Sequence, residues 1–74
     1  MRNQRVYRAE AVVLKAADFG EADRVLTLYT AHHGKISAIA KGARRPGSRL
    51  GGHVDLLTHA NLLLARGRNF EVVT

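Results

Sequence analysis

From Tyr7 to Leu14 the odd positions Tyr7, Ala9, Ala11 and Val13 are all apolar, while the even positions pass from Arg8 and Glu10 to Val12 and Leu14. This period of two predicts a strand that is half-buried at its start and buried on both faces at its end. Asp18, Phe19, Gly20 and Glu21 then break the alternation with turn residues. A second run, Asp23 to Thr30, sets Arg24, Leu26 and Leu28 against Val25, Thr27 and Tyr29, and its β-branched and aromatic content favours a strand. Ala31-His32-His33-Gly34 is a compact turn with a glycine for positive φ. Beyond it Lys35, Ser37, Ile39 and Lys41 alternate with Ile36, Ala38 and Ala40. Two such runs joined by a short turn make an antiparallel hairpin, with Lys35 and Lys41 on one side.

Gly42 to His53 holds four of the seven glycines and the only proline, so it reads as a loop, a mobile arm carrying three arginines. The Leu-rich stretch that follows suits a helix or a strand, the latter with Leu56, Ala60, Leu62 and Leu64 on one face. A turn at Arg66-Gly67-Arg68-Asn69 and a β-type run at Phe70 to Val73 favour strand, turn, strand. Phe70 and Val72 are expected to share a core face. The last run has no stop signal, so residues 1–74 are expected to form one domain at the front of a longer protein. Five short strands fit a small closed β-barrel, since closure removes the exposed edges of so small a sheet.

Composition narrows the picture. The chain has 74 residues, 46% of them apolar, and no cysteine, which implies one small folded domain and excludes disulfides and thiolate zinc sites. No apolar run reaches signal-peptide or membrane-span length, so a cytoplasmic location is expected. Charge is more telling. Lys35 to Arg49 carries five cations and no carboxylate, and no acid occurs between Asp23 and Asp55. With Arg24 that acid-free interval holds six cations, and the other six balance all six acids, so the net charge of +6 belongs to one segment. Such localisation points to a polyanion-binding surface.

Three blocks carry a named likeness: Gly20-Glu21-Ala22-Asp23-Arg24, then Ala38-Ile39-Ala40-Lys41-Gly42-Ala43-Arg44-Arg45-Pro46-Gly47-Ser48-Arg49, then Leu62-Leu63-Leu64-Ala65-Arg66-Gly67-Arg68-Asn69. From about Tyr7 to Thr74 the chain closely resembles the amino-terminal domain of the bacterial recombination mediator RecO. The resemblance implies a five-stranded oligonucleotide-binding fold that binds single- and double-stranded DNA near the nucleoid. It also implies work with RecR and single-strand-binding protein in recombinase loading and strand annealing. Family members continue into a helical domain, often with a cysteine zinc site. Neither is present here, and no cofactor is expected.

The expected DNA track is Lys35, Lys41, Arg44, Arg45 and Arg49, because arginine matches phosphate with a planar fork of donors and lysine adds a point charge. Gly42, Gly47, Gly51 and Gly52 would let main-chain N–H groups approach as well. Arg24 joins the track or pairs with Asp23 or Glu21; Arg66 and Arg68 flank it from a hairpin tip or face water. Of four aromatic rings, Tyr7 and Phe70 are expected in the core, leaving Tyr29 and Phe19 to stack on bases. Electrostatics should then dominate, giving little base preference and similar affinity for single strands and duplex.

Other chemistries fit less well. Gly42 and Gly47-Ser48 have the spacing of a phosphate-binding loop, but serine stands where lysine is needed. His32 and His33 sit at a turn, and on a strand His53 and His59 would lie roughly 20 Å apart at about 3.3 Å per residue, which argues against a histidine metal site. Asp18, Glu21 and Asp23 read as turn-capping and salt-pairing residues, and Ser37 and Ser48 lack a base. No enzyme and no small-molecule substrate are expected. The competing readings are a docking domain that grips RecR and an RNA-binding barrel.

Overall fold

A computed structural model describes residues 5–50 and 54–74. All the regular structure is strand: β1 Val6–Phe19, β2 Asp23–Thr30, β3 Gly34–Ala40, β4 His59–Ala65 and β5 Glu71–Val73. They close in the order β1-β2-β3-β5-β4. The long β1 makes closure possible, pairing with β4 through Val6 to Val12 and with β2 from Ala11 onward. Ala11 and Val12 therefore have strand neighbours on both sides. The ring shuts where β5 lies parallel to β3, at Ala38↔Glu71 and Ile39↔Val72, and antiparallel to β4. The small five-stranded oligonucleotide-binding type of barrel has this size and closure.

A narrow barrel leaves little room inside, and the sequence meets this with alanine. Ala9, Ala11, Ala38, Ala40 and Ala43 share the core with Val13, Leu26, Leu28, Leu62, Leu64, Val54 and Val73. The small residues let the walls approach, and fully buried leucines such as Leu28 and Leu64 fill the axis, each stabilising by about 1.5–3 kcal/mol through burial. Val54 and Ala43 enter from the β3–β4 connection.

A β-bulge interrupts β1, where the pairing Val13↔Leu28 is followed by Lys15↔Thr27. The extra residue is Leu14. A bulge inverts the alternation beyond it, so Ala16 and Asp18 come into phase with the core, while Lys15, Ala17 and Phe19 turn outward. The expectation of a strand end buried on both faces is thus corrected, for Leu14 is 43% exposed. Asp18 and Phe19 belong to the strand, paired with Arg24 and Asp23, and the turn is Gly20 to Ala22.

The β3–β4 connection is a chain of turns where a mobile arm was expected. Ala43 N bonds Ala40 O, Arg45 N bonds Gly42 O and Ser48 N bonds Arg45 O. In the last of these Pro46 and Gly47 occupy the central positions and Gly47 has φ 77°, the requirement of a type II turn. Arg44 N also donates to Ala22 O at 2.9 Å, and Gly42 N donates to Asp23 Oδ1 at 2.7 Å. The loop's base is therefore fastened to the β1–β2 turn. Gly51, Gly52 and His53 lie outside the described residues.

Residues 54–58 are turn, and the helical alternative for the Leu-rich stretch is set aside. Leu56 leaves the expected strand face and is 58% exposed. Leu57 takes φ 65°, a conformation that costs a non-glycine residue about 1–3 kcal/mol. It is held there by Leu57 N donating to Val13 O and Val13 N donating to Thr58 O. Between β4 and β5 the chain turns at Gly67, where a Cβ would lie 2.0 Å from the Phe70 carbonyl oxygen. Only glycine fits that approach. The turn sets β5 so that Val73 enters the core, while Phe70 and Val72, expected there, are half-buried.

Candidate nucleic-acid interface

Alternation on the barrel wall decides which cations meet solvent. Leu26 and Leu28 of β2 and Ala38 and Ala40 of β3 point in, so Val25, Thr27 and Tyr29 with Lys35, Ser37 and Ile39 point out. Cross-strand pairing arranges these in rows: Val12, Tyr29 and Lys35; Lys15, Thr27 and Ser37; Ala17, Val25 and Ile39. Lys35 and Lys41 are both exposed. Lys15, given no role from the sequence, joins this face through the bulge. An interrupted alternation was its only signal.

Arg44, Arg45 and Arg49 do not act alike. The Arg44 Nε lies 3.5 Å from Asp18 Oδ1, and its Nη1 donates to Gly20 O at 3.3 Å. Arg24 lies with it. Its Nη1 donates to Asp55 Oδ1 at 2.9 Å and its Nε stands 3.7 Å from Asp18. The partners proposed from sequence, Asp23 and Glu21, are replaced because the bulge brings Asp18 opposite Arg24 and the 54–58 turn brings Asp55. Arg24 and Arg44 thus form an ion network at one end of the barrel. Among the described residues Lys15, Lys35, Lys41, Arg45, Arg49 and Arg68 make no ion pair, and all six are exposed.

The opposite end is closed by a second polar cluster. The Tyr7 hydroxyl donates to Glu71 Oε2, the Arg66 guanidinium lies 4.6 Å over the Tyr7 ring, and His33 meets that ring edge-on at 5.0 Å. Burial first, then the hydrogen bond and charge of Glu71, push the Tyr7 phenol up to about 12. Tyr7 is half-buried, short of the core position expected, and Arg66, itself exposed, lies over its ring. Arg68 stands exposed in the same connection.

Tyr29 is 59% exposed and Phe19 50%, so the two rings left for stacking are both accessible. Tyr29 stands between Val12 and Lys35, and Phe19 ends β1. His59 is tied to Glu10, Nε2 to Oε2 at 2.8 Å. No cluster of metal-ligating residues occurs among the described residues, and no helix is long and apolar enough to cross a membrane.

The chain is similar to known proteins over nearly its whole length. Residues 1–74 match the family model described as recombination protein O N terminal. Among similar proteins, the DNA repair protein RecO of Heliobacterium modesticaldum is 54% identical over 70 residues, covering 95% of this chain and 26% of the relative. The RecO of Bifidobacterium adolescentis is 51% identical over 69 residues, covering 93% and 28%. That of Roseiflexus sp. is 50% identical over 70 residues, covering 95% and 24%. The chain spans about a quarter of the length of these relatives.

Proposed function

The chain belongs to the family of recombination protein O amino-terminal domains, and on that premise we propose that it is the DNA-binding module of a recombination mediator. The observation that carries this reading is the division of its cations. Arg24, Arg44 and Arg66 are used to close the barrel ends, whereas Lys15, Lys35, Lys41, Arg45 and Arg49 sit exposed without ion pairs among the described residues. Exposed cations without ion pairs meet a polyanion at little cost in lost internal contacts. Phosphate is common to single strands and duplex, so both should bind, with affinities within about an order of magnitude.

On this reading the domain holds strands in the cytoplasm near the nucleoid while the rest of a longer protein, with RecR and single-strand-binding protein, assists recombinase loading and annealing. It proceeds by binding alone and needs no catalytic step. Titration against salt tests it. Engagement of about five or six phosphates gives a log-log slope near −4 on single strands, or about 10²- to 10³-fold weakening between 50 and 200 mM salt. A salt-independent affinity, or none, would sink it.

A second reading, a docking domain for a protein partner such as RecR, is favoured by Leu56 and Leu57, exposed to 58% and 70%. It predicts a DNA-silent chain that still captures RecR. Tighter binding to RNA than to DNA of the same sequence would support an RNA-binding barrel instead.

A further inference from the structure

Val12 has Tyr29 as its partner on β2 and His59 as its partner on β4. The two rings therefore flank one β1 residue, on backbones about 10 Å apart, twice the spacing between neighbouring strands. Between them lies an open groove of about 200 Å³ walled by Tyr29 and His59, with Val12 and Ala31 in its lining and Glu10 at its edge. Stacked or edge-on aromatic rings sit with centroids about 4.5–7 Å apart, so a gap of this width admits one planar ring and no second.

The surroundings say which planar ring. Lys35 stands beside Tyr29 on β3, placed for a phosphate attached to whatever enters. Glu10 is held by His59 through one carboxylate oxygen, which leaves the other to accept from a donor on the ring's edge. An aromatic side chain of a protein would suit the walls but would use neither the lysine nor the carboxylate. A nucleotide uses all of them.

We propose that the Tyr29–His59 slot takes one unstacked nucleobase of a single strand, and that Glu10 favours cytosine, whose exocyclic amino group it can accept from, over thymine. Thymine presents a carbonyl oxygen where cytosine has its amino donor, and its one edge donor, the ring N–H, lies between two carbonyl oxygens that repel a carboxylate. Paired bases in a duplex are already stacked and do not enter. This inference rests on the DNA-binding reading and refines it, adding a modest base preference to a phosphate-dominated affinity. Periodicity hides the slot, because His59 and Tyr29 come from strands that are not adjacent.

The chain contains two tyrosines and no tryptophan, so in a Tyr7→Phe background tyrosine emission comes from Tyr29 alone and reports on the slot. The 74-residue chain is titrated at fixed salt with oligo-dC, oligo-dT and duplex of equal length, following emission and anisotropy. Oligo-dC is expected to bind about fivefold tighter than oligo-dT, the size of one net hydrogen bond, and to quench emission more strongly. Glu10→Ala should erase the difference between the two oligomers. His59→Leu should lower the affinity for oligo-dC relative to duplex, and Val12→Phe, which fills the floor, should do the same if His59→Leu does not fold. Equal affinity for the two oligomers in the parent chain, or a preference that survives both Glu10→Ala and the slot variant, overturns the slot and leaves phosphate binding standing. Quenching by a tryptophan peptide without any oligo-dC preference overturns it too, assigning the groove to a protein side chain. Failure to bind any DNA would overturn the DNA-binding reading itself, and the slot with it.

Discussion

Arg44 and Arg45 are neighbours in the chain with opposite fates, and the same contrast divides the whole barrel. Arg24 stands in phase with Leu26 and Leu28, and Arg66 in phase with Leu62 and Leu64; each ends at a mouth of the barrel among acids or over a ring. Lys35 and Lys41 are out of phase with Ala38 and Ala40 and meet solvent. A charge on the core face must find a partner because its surroundings are partly desolvated, while a charge on the outer face is free to wait for a ligand. Phase relative to the core thus separates cations that hold the fold from cations offered outward.

The sharpest way to break this division is to reverse the free set. Lys41, Arg45 and Arg49 changed together to Glu should lower DNA affinity by at least about 10²-fold, since each reversal both loses a phosphate contact and adds repulsion. The circular dichroism spectrum and melting temperature should stay close to those of the parent. Binding that survives this triple change would mean that these cations do not form the track.

The complementary change removes a paired cation. Arg24→Ala breaks the contacts to Asp55 and Asp18 and should cost about 0.5–1 kcal/mol, discounted because both acids are largely exposed. For a domain of this size that lowers the melting temperature by a few degrees, about 2–8 °C. DNA affinity should change far less than in the triple reversal. A large loss of DNA affinity with an unchanged melting temperature would place Arg24 in the interface and undo the contrast.

A third effect, confined to alkaline pH, belongs to the other mouth. Tyr7 is an acid whose folded pKa is raised from 10.0 to about 12, so the folded state holds its proton more tightly than the unfolded chain. The stability it contributes is complete below pH 10 and is lost as pH rises toward 12. Urea midpoints should fall across that window, and Tyr7→Phe should flatten this part of the profile. A decline of equal size in Tyr7→Phe would show that another group is responsible.

Much of the barrel was legible in the sequence because alternation is a local signal. Asp23 to Thr30 is the second strand to the residue, Gly34 turns with φ 70°, and the inward set Ala9, Ala11, Val13, Leu26, Leu28, Ala38 and Ala40 follows from period two. What was hidden depends on contacts across the chain. The bulge at Leu14 is set by its pairing with β2, so neither the outward turn of Lys15 nor the meeting of Asp18 with Arg24 could be read from their neighbours. Arg44 looked like part of a free arm because its partners, Gly20 and Asp18, are more than twenty residues away. The candidate track was legible as a charge asymmetry. Its division into engaged and free members was not.

The bulge has a consequence for how this surface can change over generations. Leu14 is the one residue of β1 that the pairing with β2 skips, so loss of its single codon would leave Lys15 following Val13 directly and every pair from Lys15 to Phe19 in place. Lys15 would still face outward, and Asp18 would still stand opposite Arg24. A deletion of one residue there would therefore straighten the strand while sparing the outer cation and the structural ion pair. Descendants can exchange the chemistry of this wall by substitution, and at that one position they can also change its length by a residue without changing which side chains it offers.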